Sequence, residues 1–201
     1  MCCRFLMEES PEMRPLIEAM NRSPLIAGFQ ETGKIRTAGE VRPTEISPAV
    51  AVSRLGKRMV FPMRWGFREK GLLINARTET AAQKPLFREA WARHRCLIPA
   101  SCYYEWEHLP GADGRTKTGD RFRLQTPETG ITWLCGLYRM ERGVPCYVIL
   151  TRDPGEEIRF LHDRMPLILP EDCTDRWIRP ETRPEDLLGA AVTALRFERA
   201  V

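Results

Sequence analysis

The chain has 201 residues, 43% of them hydrophobic and 29% charged, with a net charge of +4. That length suits one domain spanning 1–201, and the composition lies well away from disorder. No apolar run approaches the roughly 20 residues of a membrane span. MCCRFLMEESPEMR lacks the basic head and apolar stretch of a secretory signal. The expected location is the cytoplasm, where thiols stay reduced.

In chain order, SPEMRPLIEAM predicts a first helix, with Ser10 as N-cap and Pro11 at its start. VAVSRL and RMVFPMRW, on either side of Gly56, predict a hairpin. LLINAR reads as a short strand and KPLFREAWAR as an amphipathic helix. RCLIPASCYYEW reads as one long, irregular strand, and HLPGADGRTKTGD as a flexible loop. RFRLQT, ITWLCGLYR and PCYVILT are rich in β-branched and aromatic residues and predict consecutive antiparallel strands. A helix is expected from Asp153-Pro154 through FLH, and PEDCTDRWI and RPEDLLGAAV predict two terminal helices. Helices come early, between strands and last, which favours an α+β domain with a curved, mainly antiparallel sheet or barrel.

The seven cysteines are odd in number and include no C-x-x-C pair. They support neither a disulfide framework nor a metal site, and Cys135 and Cys146 sit in apolar runs as expected of core residues. Of the cationic residues, 26 are arginine and five lysine. Arginine's planar fork suits phosphates and flat bases. An arginine-favouring codon usage would give the same bias, so charge permits a nucleic-acid partner without requiring one.

Several polar residues stand where apolar ones would pack better. If Met1 is removed, Cys2 presents an α-amine and a thiol on adjacent carbons, a bifunctional nucleophile. In LLINARTET, Asn75 and Arg77 alternate with Ile74 and Ala76 and should share one strand face. In CYYEWEH, Glu105 lies between Tyr104 and Trp106, and desolvation there would raise its pKa towards values useful for proton transfer. In RFLHDRMPLIL, His162 precedes an apolar run, with Arg164 two residues on. Each has a structural alternative: a chance terminal thiol, a strand-end amide, a solvated carboxylate, a helix-capping imidazole. His94 and His108 lie in polar surroundings and are weaker candidates. No serine elbow, P-loop, dinucleotide fingerprint or H-E-x-x-H occurs.

MC-x-RF, NARTET, RCLIPAxxYYEW and H-D-RMPLIL, in this order, resemble the SRAP (SOS response-associated peptidase) family, which processes abasic sites in DNA. The resemblance covers residues 2 to about 170. It implies loss of Met1 by autoproteolysis and attack of Cys2 on the ring-opened aldehyde of an abasic site in single-stranded DNA. Amine and aldehyde give an imine, and the thiol closes a thiazolidine. Asn75 would position the sugar, Glu105 would act as acid and base, and His162 would be the second proton-transfer group. Arg4, Arg77 and Arg164 match the family's phosphate contacts, Trp65 lies close to its stacking position, and Thr151 is another contact to the DNA backbone. No metal or organic cofactor is implied. The protein is expected to be a monomer associated with the nucleoid when bound to DNA.

Nearby guanidinium groups are expected to lower the Cys2 thiol pKa. Cys3 and Cys102 replace glycines of the family pattern. A positive φ at either would cost about 1 kcal/mol, and the two cysteines are expected to be neighbours. Two other functions stay open: a thiol peptidase or amidase of the N-terminal-nucleophile type, and a non-catalytic single-strand DNA binder using Trp65 and the arginines. The paired nucleophiles favour the covalent reading, because a simple binder needs no thiol.

Overall fold

The computed structural model describes residues 2–29, 33–69, 71–110, 115–127 and 130–200. β1 (Arg4–Met7) and α1 (Met13–Asn21) are followed by β2 (Gly39–Val41), β3 (Ile46–Val52) and β4 (Arg58–Trp65). β5 (Phe67–Arg68), β6 (Leu72–Leu73) and β7 (Asn75–Arg77) lead into α2 (Thr78–Ala81) and α3 (Pro85–Arg93). Then come β8 (Arg95–Ala100), β9 (Cys102–Pro110), β10 (Thr116–Gln125), β11 (Thr132–Glu141) and β12 (Val144–Arg152). β13 (Met165–Pro166), α4 (Glu171–Ile178) and β14 (Arg196–Arg199) complete the order.

The architecture is α+β. Strands β11, β8, β3, β4 and β12 pair in that order, and a β11–β12 ladder closes them into a five-stranded barrel. Only β4 and β12 run parallel within this ring. A second sheet, β14-β10-β9-β1-β2, is antiparallel throughout. The two share one apolar core, and no helix among the described residues is long and apolar enough to cross a membrane.

Local chemistry accounts for most elements. Ser10 Oγ accepts the Met13 N–H at 3.1 Å and starts α1, whose Met13 and Met20, two turns apart, are both buried. The β11–β12 hairpin turns on Arg142 and Gly143, both with positive φ (50° and 83°), as a two-residue turn matching the strand twist requires. Gly136 lets β11 approach its neighbours closely: a Cβ there would lie 2.6 Å from Ile98 Cδ1 and 2.9 Å from the Val148 carbonyl.

The chain departs from the sequence expectation in five places. RCLIPASCYYEW is two strands in two sheets: Ser101 donates its N–H to the Leu6 carbonyl at 2.8 Å, and the chain leaves the barrel there. RFRLQT pairs with β9 and β14 rather than with ITWLCGLYR. Residues 108–110 and 116–120 of the expected loop are strand, and 111–114 lie outside the described residues. The helix through FLH reduces to a 3-10 turn at Glu156–Ile158, because the Leu161 carbonyl accepts the His108 N–H at 3.1 Å and docks this segment on β9. RPEDLLGAAV is likewise a 3-10 helix, Pro184–Ala190.

One buried cation ties the helices to the barrel. Arg95 is 1% exposed and donates to the carbonyls of Trp91, Ala92, Trp177, Arg179 and Thr182. It thus caps the C-terminal ends of α3 and α4, where carbonyls lack helical partners. Arg95→Met should lower the unfolding free energy by more than about 3 kcal/mol, since several buried carbonyls lose a charged donor together. Urea denaturation measures it; a loss below about 1 kcal/mol would show that water replaces the guanidinium freely.

Candidate active site

Cys2 is the first described residue and is fully buried. Strand β1, which it precedes, lies between β2 and β9, with Arg4 opposite Tyr104 and Phe5 opposite Tyr103. Asn75, at the start of β7, donates from Nδ2 to the Cys2 carbonyl at 3.0 Å. β7 is held in place by parallel pairing to β12, Asn75 opposite Ile149. The Asn75 Oδ1 atom is buried and has no hydrogen-bond partner among the described residues.

Glu105 is 4% exposed, and burial raises its carboxyl pKa. The flanking aromatics are not the cause. Tyr104 and Trp106 occupy the opposite sheet face, under the guanidinium groups of Arg121 and Arg4. Glu105 instead shares the inward face with Tyr103, which is buried, and with its cross-strand partner Phe122. Burial also pushes the Cys2 thiol well above its usual range, and the nearby Glu105 carboxylate adds to the effect. The expected lowering by arginines is therefore reversed: Arg4 and Arg121 lie over Tyr104 and Trp106 on the other face of the sheet.

His162 is 9% exposed, and burial lowers its pKa to about 4, with His108 acting in the same direction. The two imidazole rings lie 4.1 Å apart between centroids. Sequence alone ranks His108 as the weaker candidate, because its neighbours are polar and its contact is with a segment 54 positions away. His162 Nδ1 stands 3.0 Å from the Arg164 N–H and 2.6 Å from Asp163 Oδ1. The first contact needs a lone pair on that nitrogen and the second a proton, so it satisfies one at a time.

The residues expected at a DNA backbone separate into two groups. Arg77 is exposed and has no carboxylate partner among the described residues. Arg4 is partly exposed, donates to Glu40 at 3.1 Å and lies over the Trp106 ring. Arg164, by contrast, is 8% exposed. It binds Asp153 at 2.6 Å, Glu79 at 2.8 Å and the Thr151 carbonyl at 2.8 Å, so both terminal nitrogens are engaged inside the fold, while its buried Nε has no partner among the described residues. Thr151 is fully buried, with its hydroxyl donating to the Ala76 carbonyl. Trp65 has no exposed surface: its indole N–H binds the Ile74 carbonyl at 2.9 Å, and its ring stacks on Tyr147 at 6.2 Å. It cannot offer a face to a base.

Neither glycine-replacing cysteine is strained, because among described non-glycine residues only Thr44 and Arg142 have positive φ. Nor are they neighbours. Cys102 pairs with Leu6, three positions along β1 from Cys3, or about 10 Å at 3.4 Å per residue.

Fold and site together define an α+β protein whose buried Cys2 thiol lies beside an acid, with an amide holding the Cys2 carbonyl. The chain belongs to the SOS response associated peptidase (SRAP) family, whose model matches residues 1–198. It is 36% identical over 177 residues to abasic site processing protein YoaM of Bacillus subtilis, covering 80% of this chain and 74% of that one. Its identity to abasic site processing protein YoqW of the same organism is 32% over 205 positions, 94% and 84% of the two chains. A phage-related protein from Bordetella bronchiseptica shares the fold, with a TM-score of 0.73 at 20% identity over 99% of this chain and 94% of that one.

A consequence for stability follows from His162. An unfolded imidazole takes up its proton near pH 6.5, whereas the folded one resists until about pH 4. The unfolded state therefore binds the extra proton in that window, and the stability present above pH 6.5 is lost as pH falls through it. His162→Gln should make the unfolding free energy less steep between pH 6.5 and 4 than in the parent. Parallel curves for the two proteins would remove His162 as the source.

Proposed function

We propose that this protein handles abasic sites in DNA by covalent capture through Cys2. The enclosed Cys2 beside Glu105, with Asn75 holding its carbonyl, carries the reading; the names of the YoaM and YoqW relatives point the same way. The reaction requires a free amine on Cys2 and so the removal of Met1, which lies outside the described residues. The amine attacks the open-chain aldehyde of an abasic sugar in single-stranded DNA. The carbinolamine loses water to an imine, the thiol sulfur adds to the imine carbon, and the thiol proton ends on the nitrogen. Aldehyde plus aminothiol thus gives thiazolidine plus water.

The site's proton chemistry suits these steps. Protonated Glu105, favoured by burial, delivers a proton to the departing hydroxyl. The resulting carboxylate takes the proton of a thiol that burial keeps from ionising beforehand. His162 stays neutral throughout the physiological range and can donate or accept at Nε2 according to which partner Nδ1 engages. The buried Asn75 Oδ1 is an acceptor for a sugar hydroxyl. Tethering both nucleophiles to one carbon makes ring closure intramolecular, with effective molarities of about 10⁵ M or more. Arg77 and Arg4 contact phosphates near the lesion.

Incubation with an oligonucleotide carrying one abasic site, followed by a denaturing gel, tests this. Cys2→Ala should give no heat-stable adduct, while Cys3→Ala and Cys102→Ala should give it at the parent rate. Cys2→Ser should leave an imine that borohydride traps. Glu105→Gln should slow adduct formation by about a hundredfold. An undiminished adduct from Cys2→Ala would end the proposal. Arg77→Ala should weaken binding to all sequences and lower the salt slope by about one.

A further inference from the structure

The sheet face that carries Glu105 continues to the edge of the sheet. Phe122 on β10 lies directly opposite Glu105, and Arg199 on β14 lies opposite Phe122. Cross-strand partners share a face, so acid, phenyl ring and guanidinium form one row across three strands, about 10 Å long at about 4.8 Å per strand. Phe197, paired with Leu124 two residues along, points to the same side. Phe160, two residues before His162, closes over the row. Its ring centroid is 5.9 Å from Phe122 and 5.8 Å from Phe197, and those two are 6.3 Å apart.

Phe160 is 51% exposed and Phe197 39% exposed. Three phenyl rings in mutual contact, two of them open to water, make one contiguous apolar patch on the surface. The cluster borders both proton-transfer groups, through Phe122 on the Glu105 side and Phe160 on the His162 side. Its rim carries two exposed arginines. Arg159 and Arg199 each hold one acidic partner, Glu156 and Asp120, with substantial exposure on both sides of each pair. Such surface pairs are worth little and exchange readily for a phosphate.

We propose that Phe122, Phe160 and Phe197 form a stacking platform for an unpaired base next to the abasic site, with Arg159 and Arg199 taking the adjoining phosphate. The proposal rests on the abasic-site reading above and adds to it a place for the neighbouring nucleotide. The occupant follows from continuity: a strand whose lesion reaches Glu105 meets the phenyl row at its next step. Stacking needs only a π-face, so the platform accepts any base. It also supplies what the enclosed Trp65 cannot.

The test separates binding from chemistry by using single-stranded oligonucleotides with a tetrahydrofuran abasic analogue, which has no aldehyde to react. In a second set, one or the other base flanking the analogue is also deleted. Phe160→Ala and Phe197→Ala should each weaken binding about 5- to 100-fold when both flanking bases are present. They should cost nothing further when the base over the platform is missing, so that protein and DNA deletions are coupled. Phe160→Leu, which keeps apolar volume without a π-face, should retain the parent's melting temperature and still lose binding severalfold. Equal losses with and without the flanking base, or no loss, would overturn the platform. So would unchanged DNA affinity accompanied by loss of self-association in sedimentation, which would assign the patch to a second copy of the chain. Parent protein that fails to cross-link an aldehyde-bearing oligonucleotide would instead overturn the covalent reading, since the coupling measurement never uses the aldehyde.

Discussion

Strand β1 has a neighbour on each side, and this arrangement is the condition on which the site depends. Chain ends ordinarily fray, because their backbone groups find water more easily than partners. Here the first strand is paired through Phe5 and Leu6 to both β2 and β9, and its Phe5 and Met7 side chains are buried. Residue 2 can therefore be enclosed rather than waving in solvent. The same pairing sets Glu105 beside it, and the Asn75 hydrogen bond adds a second, independent anchor from the barrel. A Cys2 held from two sides has its position fixed by the fold before anything binds, which is what the proposed capture requires.

Enclosure also fixes the electrostatics. Burial raises the pKa of Cys2 and Glu105 and lowers that of His162, so all three shifts favour the neutral form. The proposed condensation between an amine and an aldehyde suits such a site, because both reactants are uncharged and protons must move both ways as water leaves. The fixed charges sit outside it. Arg4 and Arg121 converge on Glu40, Arg164 is matched by Glu79 and Asp153, and of the three arginines expected from sequence at phosphates Arg77 alone has no acidic partner among the described residues. In the proposed reading an anionic strand is drawn to the rim, while the centre stays free of ions that would need desolvation.

Short-range features are legible in the sequence. The Ser10 cap, the Gly56 hairpin, α3, α4 and the β11–β12 hairpin follow from capping and turn chemistry and from side-chain period, all read within a dozen residues. What escapes such a reading is set by distant pairing. Nothing near Ser101 marks it as the point where a strand changes sheets. Trp65 stands beside Gly66 and looks available, but Phe5, Tyr147 and the Ile74 carbonyl close around it from three other segments. The edge strand β14 is four residues long and exposed throughout, so it leaves too short a pattern to read. Glu105 shows the distinction well: its desolvation is expected from neighbours in sequence, yet it arises from neighbours across the sheet.

Register therefore decides the chemistry of this sheet. Along β9, Tyr103 and Glu105 face the core, while Tyr104 and Trp106 face outwards beneath Arg121 and Arg4. A slip of one residue against β1 would exchange the two sets, placing the acid in water and two aromatics against the thiol. Two features oppose such a slip. On one side Arg4 and Arg121 reach across strands to the same Glu40 carboxylate, an interaction possible only when β2, β1, β9 and β10 are in their observed phase. On the other, Phe5 and Tyr103 stay opposite one another, each with 1% or less of its surface exposed. The irregularity between Thr118 and Arg121 falls between Trp106 and His108, so the extra residue of β10 is absorbed beyond Glu105 and leaves the Glu105–Phe122 register intact. The outward cations and aromatics can thus be read as the lock on an inward acid, and they act at a distance from the atoms that react.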